Sequence, residues 1–154
     1  MDFQYRIATI DDLEVLVKTR IEVLRAANKL SVDTAMQNVE ITSRAYYKTA
    51  LKNNTHKAIL VFHGNKFVGA GGISYFEVMP TYHNPSGKKA YIMNMYTSPD
   101  YRRNGIALKT LDLLVQDAKQ RGISSISLEA TDMGRPLYEK YGFTAMKDEM
   151  ELLK

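Results

Sequence analysis

The sequence of 154 residues contains no cysteine and no tryptophan. The lack of cysteine excludes disulfide bridges, thiolate zinc sites and a cysteine nucleophile. No run of eighteen apolar residues occurs, and the N-terminal segment has no basic stretch followed by an apolar one. We therefore expect neither a membrane span nor a signal peptide, and a cytoplasmic protein without a membrane partner.

The sequence also lacks a large excess of charge of either sign, because it has 21 basic and 17 acidic residues and a net charge of only +4. We expect no nucleic-acid partner, since that binding mode uses a long basic stripe with stacking aromatics. His56, His63 and His83 share no spacing that would place two ligands on one helix face, so no metal site is expected. With no internal repeat or linker, we expect a single domain over residues 1–154.

Hydrophobic periodicity and turn residues predict the element order β-α-α-β-β-β-α-β-α-β-β. Thr9 and Asp12 have the spacing of a capping box before the first helix, and Ser31 is the expected cap of the second. Up to two closing strands are expected between Phe143 and Leu153. This order predicts an α+β fold, a mixed and mostly antiparallel sheet flanked by helices.

The segment from Tyr91 to Ala107 consists of a strand, a basic turn and the clearest helix of the chain. The first N–H groups of a helix lack intrahelical partners and lie at the positive end of its dipole, so phosphate oxygens can accept hydrogen bonds from them. Gly105 permits close approach of the backbone, and Arg102 and Arg103 add positive charge. The spacing matches neither Gly-x-x-x-x-Gly-Lys-Ser/Thr nor Gly-x-Gly-x-x-Gly, which argues against a nucleotide triphosphatase and a Rossmann dinucleotide site.

The same turn resembles the signature of a known family. Its residues fit Arg/Gln-x-x-Gly-x-Gly/Ala, the signature of the GNAT superfamily of acetyl-CoA-dependent N-acetyltransferases. The strand from Asn94 resembles the family's fourth strand, and Leu137 to Phe143 resembles its second signature. With the element order, the resemblance covers nearly the whole chain. It implies a GNAT-like acyl-CoA N-acyltransferase fold, with acetyl-CoA as cosubstrate and no metal.

The resemblance also implies which residues hold the cofactor. The fourth strand would contact the pantetheine arm through Met95, Tyr96 and Thr97. The amides of the turn would hold the pyrophosphate, at Arg102, Arg103, Asn104, Gly105, Ile106 and Ala107. One position departs from the family: Thr131 stands where an asparagine often contacts the cofactor, and its hydroxyl has a shorter reach although it can donate and accept.

Acetyl transfer to an amine needs a proton removed from the amine, a donor for the oxyanion and a proton for the leaving thiolate. By resemblance, Tyr138 is expected to contact the cofactor and to act as general acid, and the backbone N–H of Met95 to polarise the thioester carbonyl. A phenol of pKa about 10 is a suitable donor to a thiolate whose thiol has a pKa of about 8.5. Glu77 is the first candidate for the general base and Glu129 the second, with a water chain as the alternative.

The leading hypothesis is an enzyme that transfers the acetyl group of acetyl-CoA directly to a primary amine in a ternary complex. Without cysteine, an acetyl-cysteine intermediate is excluded. We expect a small-molecule acceptor. The alternatives are a protein acetyltransferase acting on lysine or an N-terminal amine, and a non-catalytic acyl-CoA sensor. The sequence is also compatible with a homodimer.

Overall fold

A mixed five-stranded sheet with helices on both faces forms the centre of the protein, in a computed structural model that describes residues 1–154. The strands are β1 (Gln4–Ile7), β2 (His56–His63), β3 (Lys66–Glu77), β4 (Lys88–Thr97) and β5 (Ile126–Leu128). The helices are α1 (Leu13–Asn28), α2 (Gln37–Asn53), α3 (Ile106–Gln120) and α4 (Arg135–Tyr141).

The strands follow one another across the sheet in sequence order. β1 to β4 are antiparallel neighbours, and β5 alone is parallel to its neighbour, β4. Gly64 and Asn65 join β2 to β3 in a two-residue turn in which Gly64 has a φ of 61°, as hairpin turns of this length require. The predicted α+β fold with a mixed, mostly antiparallel sheet is confirmed.

The two faces of the sheet carry separate cores because successive residues of a strand point to opposite faces. Along β2, Ile59 and Val61 belong to the core that includes α3 and α4. Ala58 and Leu60 belong to the core that includes α1 and α2. The sheet therefore separates two hydrophobic cores.

The start of the second helix differs from the prediction. The capping box of Thr9 and Asp12 is confirmed ahead of α1, but α2 begins at Gln37 rather than after Ser31. Since α1 ends at the left-handed Lys29, the chain uses the residues before Gln37 to reverse direction. Ser31 lies in this reversal, where its carbonyl accepts a hydrogen bond of 2.6 Å from Arg25.

The predicted closing strands between Phe143 and Leu153 do not form, and the last element is α4. Residues 144–154 are all exposed, among them the apolar side chains of Met146, Met150, Leu152 and Leu153. A strand is stabilised by packing against its neighbours, and here the apolar alternation has no surface to pack on. The three consecutive charged residues at 147–149 further weaken strand formation.

Candidate active site

Strand β4 is bulged at its centre. Asn94 and Met95 together stand opposite the single residue Gly71 of β3, and Asn94 has a φ of 57°. A bulge of this kind adds a residue that the ladder leaves unpaired. As a result Met93 and Asn94 both line a cavity on the side of α1 and α2, whereas Met95 packs against the core on the side of α3.

Beyond the middle of β4 one side of the strand has no neighbour. The parallel pairing with β5 involves only Ala90 to Ile92 of β4, although β4 continues to Thr97. The main chain of Met95, Tyr96 and Thr97 is thus accessible to an extended ligand, in the manner of an added strand. The Thr97 hydroxyl is buried there without a hydrogen-bond partner.

The turn after β4 leads directly into the N-terminus of α3. Arg103 and Gly105 have φ values of 65° and 77°, and Gly105 precedes the helix without any side-chain cap. Consecutive N–H groups in such a turn form a concave donor surface. Arg102 and Arg103 are exposed and form no ion pair. These free donors and charges fit a diphosphate group.

The other residues predicted in the turn stabilise its shape. The Asn104 amide donates to the carbonyl oxygens of Tyr101 and Arg102, at 2.9 and 3.3 Å. Ile106 is buried in the core with α3, and the small Ala107 follows it in the first turn of the helix. Asn104 and Ile106 thus fix the shape of the turn, and no side chain caps the helix that follows it.

Tyr138 is almost fully buried in α4, with 8% of its surface exposed. Its ring contacts Phe143 edge to face, with centroids 6.2 Å apart, and burial raises the pKa of its phenol. Thr131 begins the turn before α4, where its hydroxyl accepts a 3.1 Å hydrogen bond from the Gly134 amide. A cleft of about 670 Å³ between β5, α4 and the following residues is lined by Tyr138.

The two carboxylates proposed as general bases do not line this cleft. Glu77 is exposed at the end of β3, opposite Lys88, and Glu129 is exposed just after β5. The structure brings neither of them into the cavity beside Asn94. Both assignments stay predictions.

That cavity, of about 320 Å³, was not foreseen from the sequence. Five elements contribute to it, α1, α2, β2, β3 and β4, and none of its lining side chains is acidic: Arg20, Thr42, Ser43, Tyr46, Tyr47, His56, Ser74, Met93 and Asn94. Its members come from positions 20 to 94, so no local spacing in the sequence marks them. We call it the Arg20 cavity.

Hydrogen bonds organise the polar side of the Arg20 cavity. The Tyr46 hydroxyl is 2.6 Å from the Ser74 hydroxyl and 2.9 Å from His56 Nδ1. Burial, and secondarily the charge of Arg20, lower the pKa of His56 to about 4, so its imidazole is neutral near pH 7. An Arg20 N–H donates to Asn94 Oδ1 at 3.0 Å and thereby ties the cavity to the bulge of β4.

The chain has no group of three or more histidine, aspartate and glutamate side chains close enough to share a metal ion. None of its helices is long and apolar enough to cross a membrane. The bulge of β4 contacts both regions, through Asn94 in the Arg20 cavity and Met95 against the core that contains Tyr138.

Solved structures resemble this protein over nearly its whole length. A crystal structure with acetyl-CoA, of a protein from Clostridium acetobutylicum described as a "predicted acetyltransferase", is 35% identical with a TM-score of 0.89, over 99% of this chain and 96% of that one. A GCN5-related N-acetyltransferase from Ralstonia eutropha JMP134 has the same fold, with 24% identity and a TM-score of 0.82 over 99% of both chains.

Sequence comparison leads to the same family. The uncharacterized N-acetyltransferase YsnE of Bacillus subtilis strain 168 is 30% identical over 85 residues, which are 52% of this chain and only 50% of that relative. The match thus spans about half the length of this curated relative. The family model described as "Acetyltransferase (GNAT) family" matches residues 16–143. The chain belongs to the GNAT acetyltransferase family.

Proposed function

We propose that this protein transfers the acetyl group of acetyl-CoA directly to a primary amine of a small molecule, in a ternary complex. The observation that carries the proposal is the continuous unit of β4, its basic turn and α3, in which an open strand side leads to an uncapped helix N-terminus. The 35% identical protein that was crystallised with acetyl-CoA supports the choice of cosubstrate.

The residues that would hold acetyl-CoA follow from that unit. The main chain of Met95, Tyr96 and Thr97 offers hydrogen bonds to the pantetheine arm, and the turn from Arg102 to Ala107 offers its amides to the pyrophosphate. When bound, acetyl-CoA supplies an activated acyl group with a thiolate as leaving group. The Thr131 hydroxyl already accepts one hydrogen bond, so its proton is available as a donor.

Two groups of the chain would act on the reacting atoms. Tyr138 is the proposed general acid, and its raised pKa keeps the phenol protonated near pH 7. The Met95 N–H is the proposed donor to the thioester carbonyl, because the bulge removes this residue from regular ladder pairing. Both donors lie beside the core that contains α3.

Removal of the amine proton is proposed for Glu77, with Glu129 as the second candidate and a water chain as the alternative. With a pKa of about 4, His56 is a weak base for an amine of pKa about 10. Glu77 and Glu129 do not line the Arg20 cavity, so either carboxylate would receive the proton through water.

The size of the Arg20 cavity favours a small acceptor over a protein. About 320 Å³ is at the lower end of the range of small-molecule sites, and α1 and α2 wall the cavity on one side. An extended peptide would need an open groove instead.

Release of free thiol from acetyl-CoA, measured with a panel of small amines and basic peptides, tests the function. Tyr138→Phe is expected to lower kcat about a hundredfold while acetyl-CoA affinity stays the same. Tight acetyl-CoA binding without turnover on any amine would instead indicate a sensor.

The cofactor turn is tested by the double variant Arg102→Glu, Gly105→Asp, which places two negative charges against the pyrophosphate site. We expect acetyl-CoA affinity, measured by calorimetry, to fall at least tenfold. Lys48→Glu, an exposed charge reversal on α2, is the control and should bind normally. Unchanged affinity of the double variant would refute the assignment of the turn.

A further inference from the structure

The Arg20 cavity contains a positive charge that no acidic residue balances. The Arg20 guanidinium is half-buried, forms no ion pair and makes a single hydrogen bond, to Asn94 Oδ1. Two other half-buried basic side chains at the sheet, Lys57 and Arg121, both pair with Asp117. Leaving a partly desolvated cation without a partner is costly, which suggests that the partner is a ligand.

The neighbours of Arg20 are suited to an anion. A guanidinium has five N–H donors, and only one of them is engaged here. The Ser43 hydroxyl, which can also donate, lines the same cavity, whereas the Thr42 hydroxyl donates to the carbonyl oxygens of Asn38 and Val39. Because none of the lining residues is acidic, nothing in the cavity would repel a carboxylate or a phosphate.

We propose that the Arg20 cavity selects an amine that also carries an anionic group, a carboxylate or a phosphate, and that Arg20 binds that group. The inference rests on the proposed function for the identity of the amine as acceptor. A polyamine is disfavoured, since its ammonium groups would meet Arg20 with no carboxylate to compensate. The volume of about 320 Å³ holds roughly ten water molecules, which suits a ligand of amino-acid size.

The position of Arg20 connects acceptor binding with the reacting atoms. Its hydrogen bond goes to Asn94, the residue directly before Met95, whose N–H is the proposed donor to the thioester carbonyl. An anionic group held by Arg20 would therefore place the amine of the same small molecule close to the bulge. Arg20 is in this way a specificity-determining residue.

Matched pairs of amines test the inference. Each pair differs in the anionic group alone: α-, β- and γ-amino acids with their carboxamides, and phosphoethanolamine with ethanolamine, with spermidine added as a polyamine. Binding is measured by calorimetry and turnover by thiol release from acetyl-CoA. We expect at least one anionic member to bind tenfold or more tightly than its uncharged partner, and the pair concerned tells whether the group is carboxylate or phosphate.

Variants connect this preference with Arg20. Arg20→Gln should abolish the preference by weakening the anionic member alone, and Arg20→Lys should retain part of it. Arg44→Gln removes the same charge from α2, but its guanidinium is held by Glu14 at 2.8 and 3.1 Å and does not line the cavity. This control should keep the full preference.

The outcomes separate the inference from the proposed function. If no pair is discriminated, or if Arg20→Gln discriminates as well as the wild type, the inference is wrong even where acetyl transfer occurs. If anionic amines bind through Arg20 but acetyl-CoA is not consumed, the proposed function fails and the binding site stands. A purely structural role of Arg20 would weaken both members of every pair equally, and that result also overturns the inference.

Discussion

Half-buried basic residues on the two faces of the sheet have different surroundings: Lys57 and Arg121 are paired on the α3 side, and Arg20 is unpaired on the other. On the α3 side, Asp117 accepts from Lys57 Nζ at 2.6 Å, from Arg121 Nε at 3.1 Å and from the Tyr75 hydroxyl at 2.5 Å. Arg121 also donates to both oxygens of Asn54, at 2.6 and 3.0 Å. These contacts join α3 to β2, β3 and the end of α2.

On the α1 and α2 side, Arg20 has no such partner, and its one hydrogen bond goes to a neutral amide. On the α3 side, the charges of Lys57, Arg121 and Asp117 are paired with one another, and this pairing contributes to stability. On the other side, N–H donors of Arg20 stay free, as donors in a binding site do, at some cost in stability. The difference teaches that burial alone does not identify a functional charge, and that Arg20 is set apart by free donors that line a cavity.

The largest expected effect is on the paired side. Asp117→Ala leaves Lys57 and Arg121 without their carboxylate, and we expect the free energy of unfolding to fall by about 3 kcal/mol, with Tm lower by about 6–12 °C. This is the low end for a broken buried pair, because the three side chains keep 12% to 25% of their surface exposed. Urea and thermal unfolding measure it.

Asp112→Ala is the matched control for this change. Asp112 is an exposed carboxylate on the same helix, bonded to Tyr141 and Gln116, and its loss should cost less than about 1 kcal/mol. Equal losses for the two variants would show that the Asp117 network adds no more than a surface contact does.

His56 provides a pH test of the other side. Its pKa in the folded protein is about 4, against about 6.5 when it is free in solution. Because the pKa of His56 is lower in the folded protein, the unfolded chain binds a proton at this residue near pH 6.5, whereas the folded protein binds it only near pH 4. The free energy of unfolding therefore has its full value above pH 6.5 and decreases as the pH falls towards 4. We expect a loss of about 2 kcal/mol between pH 7.5 and 5, measured by urea unfolding.

Neighbouring groups do not titrate in this window. Arg20 stays charged, and burial raises the pKa of Tyr46 and Tyr47, so both phenols stay neutral. His56→Gln should remove most of the slope, whereas the exposed His83→Gln should leave it. A wild-type stability that stays constant down to pH 5 would mean that His56 can be protonated in place, and the cavity would then tolerate a second positive charge.

The sequence predicted those parts of the site that one continuous segment forms. The strand, basic turn and helix from β4 to α3 were expected, since donor-rich turns and helix starts depend on neighbouring residues such as Arg103 and Gly105. The capping box at Thr9 was predictable for the same reason. The prediction of closing strands was wrong. Apolar residues such as Met150 and Leu152 form a strand only where a surface is available for packing, and the alternation in the sequence does not reveal such a surface.

The Arg20 cavity could not be predicted in this way. Arg20, Tyr46, His56 and Asn94 come from four different elements, and only the folded sheet brings them together. The bulge at Asn94 is equally non-local, since it is defined by the register against β3 rather than by β4 alone. Arg20 lines a cavity that contains no acidic side chain, and this property of the folded protein has no counterpart in sequence spacing.

The smallest expected effect is the sharpest test of the comparison. Arg20→Met removes one charge-assisted hydrogen bond, to Asn94, and at the same time removes a partly desolvated cation, so the two contributions offset each other. We expect the free energy of unfolding to change by no more than about 1 kcal/mol in either direction. Arg121→Met is the same substitution on the paired side, and it should cost about 2 kcal/mol because it also frees Asp117 and Asn54. If urea unfolding shows that Arg20→Met costs as much as Arg121→Met, then Arg20 stabilises the fold as Arg121 does, and its missing acidic partner no longer indicates a ligand.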